Sequence, residues 1–450
     1  MRASILLLLV ATLSPGVAIA TRRVPAEYPT IQAGIDAALS SLDTVLVAPG
    51  TYLENLVTRG IPITLVSEAG PAATIIDGSN PDDPDSASVI LALSALSIEG
   101  FTITGGSGTM SVPDYPAGGG LALRGAATIR GNWITENHVI SPHGYGGGIE
   151  ISQVPDYLNL RIIGNRIYSN SAGDGGAIFN AAWSAHFEDN VIYDNHASNF
   201  CGALLDDRIN ATQLRNIYAC NGSGTGPSAV YGCREVRSCT FVSNVGSSPA
   251  LSTVFRTHNS LYAFNIGGGL SCINSSHSCN DVFGNTPYDV HPDCPLVIGQ
   301  NGNISVDPSF GDADSCAASY CLSPGSPLLP ENSPPGCGLI GARGACEVLA
   351  IDALTSPDFA TGPLLARPNP LHPTTTLSFV LVAPRHVELN IVDAKGRVVR
   401  HLVNRAMAAG QHDATWDGRD EQGREVASGA YIAVLKSPSA RLSQKLLLLK

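Results

Sequence analysis

Lysine is absent from residues 21–362; the four lysines of the chain all lie at Lys395 or beyond. A lysine base is therefore excluded from the larger part of the protein. Charged residues make up only 14% of the sequence, against about 25% in ordinary domains. With 44% apolar residues, 47 glycines and 30 prolines, this scarcity indicates turn-rich β structure, since disorder requires few apolar residues. No apolar run approaches the roughly 20 residues needed to span a bilayer, so no membrane span is expected. Cysteine is missing before Cys201 and no CxxC pair occurs, which counts against zinc.

The first twenty residues read as a secretory signal, with Arg2 at its start, an apolar stretch from Ile5 to Leu13 and the small-x-small sequence Ala18-Ile19-Ala20. The protein is expected to be secreted or held at the cell surface. Without Arg2 the net charge moves from −12 to −13. Residues 21–362 carry thirteen Arg and thirty-one Asp/Glu, or −18, whereas 363–450 carry twelve Lys/Arg and seven Asp/Glu, or +5. Two compositions imply at least two domains. An acidic body repels nucleic acid and anionic membranes, so neither is expected as a partner.

All eleven cysteines lie between Cys201 and Cys346, a density that favours disulfides in an exported chain, with one thiol left over. Near neighbours suggest Cys316–Cys321, Cys337–Cys346 and Cys272–Cys279, although spacing does not fix connectivity.

Between residues 130 and 290 a phrase returns as "NWITEN", "NRIYSN", "NVIYDN", "NIYACN", "CTFVSN", "SLYAFN" and "NDVFGN", at intervals of 33, 25, 26, 23, 21 and 20 residues. A second phrase, from "GGGLAL" at 118 to "GGGLSC" at 267, keeps step with it. Such periods indicate a solenoid, and alternation within each phrase indicates strands. Stacked coils would superpose Ile134, Ile167, Ile192, Tyr218, Phe241, Tyr262 and Val282 as an inner row. Asn132, Asn165, Asn190, Asn216 and Asn280 would form a structural Asn row, stacked amides satisfying one another. The expected fold is all-β: a right-handed parallel β-helix of about eleven coils. Ile31, Ile35 and Leu39 form one helical stripe, a lid for the open first coil. The Cys- and Pro-rich stretch up to Cys346 is expected to close the other end.

"YPTIQAGIDAA", "GTYLEN" and "VDPSF…CLSPGSP…IGARG" resemble the pectin-lyase-like right-handed β-helix superfamily, and "GTYLE" matches the GxYxE motif of pectin methylesterases. The resemblance covers residues 24–347 and implies fold more than function. The last 85 residues, with "VELNIVDAKGRVVRHL" and "AGQHDATWDGRDEQGREVASGAYIAVL", resemble the Ig-like domain of flagellar hook-capping proteins and the related type IX secretion sorting domain. That resemblance implies contact with export or sorting machinery. The domains expected are a signal peptide (1–20), the β-helix with both caps (21–347), a linker (348–366) and an Ig-like β-sandwich (367–450). In the sandwich Val387, Leu389, Ile391, Val398 and Leu402 face inward around Trp416. Asp417, Gly418, Asp420 and Gly423 read as a tight turn rather than a metal loop.

Outward positions are where chemistry would sit. The second phrase places Ala122, Glu150, Phe179, Leu205, Tyr231 and Ser271 outward, one carboxylate among mostly apolar neighbours and hence no acid/base pair. Arg208, Asp206, Asp207 and Arg166 are weak catalytic candidates, with Asp189 and Asp194 nearby. Trp133, Arg166, Tyr168 and Tyr193 share one outward face and form a candidate platform for sugar rings. Asp82, Asp83 and Asp85 are weak Ca²⁺ candidates; no other cofactor is indicated. The favoured reading is a non-catalytic surface protein that binds polysaccharide or another cell-surface component. The rival is a polysaccharide lyase or glycoside hydrolase.

Overall fold

The computed structural model describes residues 20–346 except 42, 113–114, 153, 155–158, 274–276 and 314. Of the C-terminal region it describes 364–367 and 374–448, with breaks at 382–384, 394–396, 409, 428 and 437–440. Residues 1–19 of the expected signal peptide and 348–363 of the linker lie outside the described residues. The chain divides into two compact units, Met1–Cys346 and Glu347–Lys450.

The first unit is a right-handed parallel β-helix. One coil shows the plan: Leu121–Leu123 on a first face, Ala127–Arg130 on a second and Trp133–Thr135 on a third. Each strand pairs in parallel with its equivalent one coil on: Leu121 with Ile149, Ala127 with Leu160, Trp133 with Arg166. The third face is a ladder of ten strands, from Gly50–Leu53 to Asp281–Phe283, and Ile304 adds a further bridge to Asp281. Ile134, Ile167, Ile192, Tyr218, Phe241, Tyr262 and Val282 stand in unbroken register and are fully buried. Burying each contributes about 1.5–3 kcal/mol, and the stacked rings of Tyr218, Phe241 and Tyr262, 4.9 Å apart, add to this.

Two corners per coil are left-handed, and both are held by asparagine. Asp189 (φ 55°) precedes Asn190, and Asp194 (φ 53°) precedes Asn195. Asn190 accepts from the Asn165 backbone and side-chain nitrogens, then donates to Ile162 O and Asn216 Oδ1. The expected Asn row is therefore an amide ladder, interrupted at Cys239 and Ser260 and resumed by Asn280 and Asn303. A second ladder, through Asn137, Asn170, Asn195, Asn221, Asn244, Asn265 and Asn285, is longer and uninterrupted. These bonds offset the cost of left-handed residues that carry side chains. Glycine is required where coils approach most closely: a Cβ on Gly106 would lie 1.8 Å from the Gly119 carbonyl oxygen.

The lid is a helix over Ile31–Asp36, capped by the Thr30 hydroxyl. Ile31 and Ile35 are buried, but Leu39 is 83% exposed. The stripe is one residue short, because the helix ends at Asp36 and Ala38 turns inward instead. The GxYxE sequence serves this lid. Glu54 accepts from the Ile31 and Gln32 nitrogens at 2.8 and 2.9 Å, and the Tyr52 hydroxyl bonds Ala48 O.

The Cys-rich segment does not close the far end of the stack. It lies as a strap along the third face, where Ala318, Tyr320 and Ala342 cover Ile217, Ala219 and Val242. Further along, Leu322, Leu328, Leu329 and Ile340 cover Leu261 and Ala263. Disulfides Cys220–Cys316 and Cys279–Cys337 fasten it to the coils, and Cys321–Cys346 closes it on itself. With Cys272–Cys294, none of the near-neighbour pairs forms, because the strap brings distant cysteines together. Three thiols remain, not one: Cys201, Cys233 and Cys239, all buried.

The second unit packs a three-stranded antiparallel sheet (365–367, 375–381, 410–416) and a four-stranded one (398–407, 385–393, 429–436, 441–448). Strand Leu365–Arg367 starts two residues before the expected boundary. Val387, Leu389 and Ile391 are buried around Trp416, whose ring lies 5.1 Å from Tyr431. Leu402 is partly buried against this core, whereas Val398 is half exposed. Asp420 accepts from the Gln422 and Arg424 backbone and from Arg424 Nε, the pattern of a self-closed turn.

Candidate functional site

The strap decides how much of the third face is available. Outward residues from Ile217 to Ala263 lie beneath it, which explains why they are apolar apart from Thr240, whose hydroxyl accepts from the Ala342 backbone of the strap. Beyond its edge stand Trp133, Arg166 and Tyr168, with Tyr193 next to the strap, in consecutive coils. The Arg166 guanidinium stands 6.0 Å from the Trp133 ring centre. Tyr168 and Tyr193 stack on each other, centroids 4.9 Å apart and 4° from parallel. A stacked pair has two of its four ring faces occupied, and Tyr193 also packs against the strap, its hydroxyl pKa raised by burial. This row therefore offers edges, hydroxyls and one guanidinium more than open ring faces.

The first face is different. Glu150, Phe179, Leu205 and Tyr231 follow one another outward in register. Segments that enter these strands form one bank and segments that leave them form the other. On the entering bank Tyr145 lies 4.6 Å from Phe179 at a 40° tilt; Tyr115 stacks beside Tyr145 and in turn meets His143. Phe200 meets Tyr231 edge-on at 5.1 Å. Asp174 sits half-buried on this bank and accepts from Phe200 N and Asn199 Nδ2; burial nonetheless raises its pKa. The leaving bank carries Arg124, ion-paired with the buried Glu150, then Trp183, Asp207 and Arg208. Trp183 is 47% exposed, with the Arg208 guanidinium 5.6 Å from its ring centre. Asp174 and Asp207 both act electrostatically on Tyr145, whose pKa is raised chiefly by burial. The result is a trench with an aromatic floor and carboxylates on both banks.

Asp206 points into the core and accepts from Asn180 Nδ2, Asn210 N and Ala211 N. Its pKa is pushed up to about 6 by burial. This carboxylate holds a corner and cannot reach a substrate. Asp207 and Arg208 stand exposed beside it, on the leaving bank. Arg166 is on a different face from both. Asp189 pairs with Arg215, and Asp194 accepts from Ser169. Asp82, Asp83 and Asp85 lie exposed on a turn in which Asp83 accepts from Asp85 N. Among the described residues, only Cys272, His277 and Cys294 bring three ligand atoms within 4.8 Å of one another. The two sulfurs are joined as a disulfide.

Trp183, Tyr145, Asp174 and His143 were not singled out from the sequence. Trp183, Tyr145 and His143 lie in connections between strands, and Asp174 ends the short strand Ser171–Asp174, outside the repeated phrases that set the register. Outward Phe179 and Tyr231 were the available signal.

Residues 65–223 match the family model described as protein of unknown function DUF1565, and residues 373–440 match that of the FlgD Ig-like domain. No curated protein matches. Among solved structures, the chain is similar to an aspartate-to-alanine mutant of pectin methylesterase in complex with a hexasaccharide. Identity is 8% over 64% of this chain and 92% of that one, with a TM-score of 0.28.

Proposed function

We propose that this is an exported, cell-surface polysaccharide-binding protein whose first-face trench holds the glycan chain. The observation that carries this is the floor: Phe179 and Tyr231 point outward and are only partly buried between two banks, and Trp183 on one of them is 47% exposed beside Arg208. Aromatic faces bind the apolar faces of sugar rings, and bank carboxylates and guanidinia bind hydroxyls. The disulfides suit an oxidising, extracellular setting, and no helix among the described residues is long and apolar enough to cross a membrane. The Ig-like unit would supply contact with export or sorting machinery. Retention on insoluble polysaccharides tests the reading. Trp183→Ala and Tyr145→Ala should each reduce retention about tenfold, in line with the loss of one stacking contact. Retention that falls only in Trp133→Ala or Tyr168→Ala moves the seat to the third face.

A second reading, a lyase or glycoside hydrolase in the same trench, is favoured by one observation. Asp174, half-buried so that its pKa is raised, and the exposed Asp207 both act on Tyr145, which brings two carboxyls to one stretch of the trench. New reducing ends or unsaturated products from a polysaccharide panel, lost in Asp174→Asn, would establish it.

A further inference from the structure

The second face concentrates cations that the rest of the solenoid pairs or shields. Of the thirteen arginines in residues 21–362, Arg22, Arg23, Arg124, Arg215, Arg237 and Arg343 lie within ion-pair distance of carboxylates. Arg166 and Arg208 lie over tryptophans. Among the described residues this leaves Arg59, Arg130, Arg161, Arg234 and Arg256, and the last four all belong to the second face or its entrance.

Their densest grouping spans two adjacent coils. Strand Val230–Arg237 pairs with strand Leu251–His258, placing Glu235 beside Arg256 and Arg237 beside His258. Arg234 is exposed and stands at the level of Phe255, which is 40% exposed. Arg256 and Arg237 are diagonal neighbours, a separation long side chains bridge. His258 feels both guanidinia, which together with burial lower its pKa. Ser278 holds its Nδ1 at 2.8 Å. Three guanidinia against the single carboxylate of Glu235 leave a net positive spot. Its ring and its charges match the two parts of an acidic sugar, an apolar ring face and an anionic substituent.

We infer that Arg234, Arg237, Phe255 and Arg256 form a second binding site, on a different face from the trench, for carboxylated or sulfated polysaccharide. The body's charge of −18 does not forbid this. At physiological ionic strength fields decay over about 8 Å, so carboxylates on the other faces contribute little here. The site stands whether or not the trench binds glycan.

Dextran sulfate and polygalacturonate, with neutral dextran and duplex DNA as comparators, provide the test on the full chain. At about 50 mM salt the wild-type protein should be retained on the acidic polysaccharides despite its pI of about 5.3, and should pass neutral dextran. Arg234→Gln/Arg256→Gln should bind at least tenfold more weakly, with the salt slope of log Kd reduced by about one per arginine. Phe255→Ala should weaken binding with the slope unchanged. Arg59→Gln, at an exposed arginine that belongs to neither site, should leave retention intact. All four side chains are exposed or half-exposed, and an unchanged melting curve confirms folding. Wild-type protein that flows through, a double variant that binds as well, or equal affinity for duplex DNA would each overturn the assignment.

Discussion

Replacing Asn195 by alanine probes the force that holds the coils in register. The Asn195 side chain accepts from the backbone and side-chain nitrogens of Asn170 at 3.1 and 3.0 Å. It donates to Ile167 O, Tyr193 O and Asn221 Oδ1 at 2.9, 2.9 and 3.0 Å. Five bonds, four of them fully buried, disappear together, and the Asn170 N–H and the Ile167 carbonyl lose a partner in a region without solvent access. A net loss of about 1 kcal/mol per bond, moderated by partial relaxation, gives about 3–5 kcal/mol. Urea unfolding followed by far-ultraviolet circular dichroism reads this as a lower midpoint at unchanged slope. Ser198→Ala, three residues away and exposed, serves as control and should change stability by less than about 0.5 kcal/mol. A cost for Asn195→Ala below about 1 kcal/mol would show that the amides do not stack as described, and the ladder argument would fall.

Other consequences are as direct. Burial pushes the pKa of Asp281 up to about 7, so its carboxyl is protonated in the folded state when the unfolded chain has already ionised. Its stabilising effect is full at about pH 4 and lost as pH rises toward 7, a difference of up to roughly 4 kcal/mol; Asp281→Asn should flatten that dependence in unfolding experiments across the window. Glu136 holds a left-handed φ of 53° on the surface, and Glu136→Gly should raise stability by about 0.5 kcal/mol. Cys201, Cys233 and Cys239 are buried with their thiol pKa values raised. A thiol reagent should therefore modify none of them in the native protein and all three after unfolding without reductant.

What the sequence made legible was whatever the repeat repeats. Ile134, Ile167 and Ile192 could be superposed from spacing alone, and five members of one asparagine ladder stood at equivalent positions. The second ladder was present as the closing letter of the same phrase. It escaped notice because a phrase end reads as a turn, and only the backbone shows that Asp194 and its equivalents turn left-handed just before it. Leu39 misled because four-residue spacing continued past the point where the helix stops. The strap left a trace in the sequence, an outward series of Ile217, Val242 and Leu261 with nothing to cover them. What covers them lies roughly 60 to 100 residues downstream and is fixed by disulfides, which spacing does not predict. The trench banks were invisible for a related reason: Trp183 sits in a connection, and Asp174 ends a short strand outside the repeated phrases, so neither has a counterpart at a fixed spacing.

The placement of the strap decides which faces are free to bind anything, and peptide mapping of the disulfides under non-reducing conditions tests it most directly. We predict Cys220–Cys316, Cys272–Cys294, Cys279–Cys337 and Cys321–Cys346, with Cys201, Cys233 and Cys239 alkylated only after unfolding. Recovery of local pairs such as Cys316–Cys321 would release the strap from the third face and contradict the account.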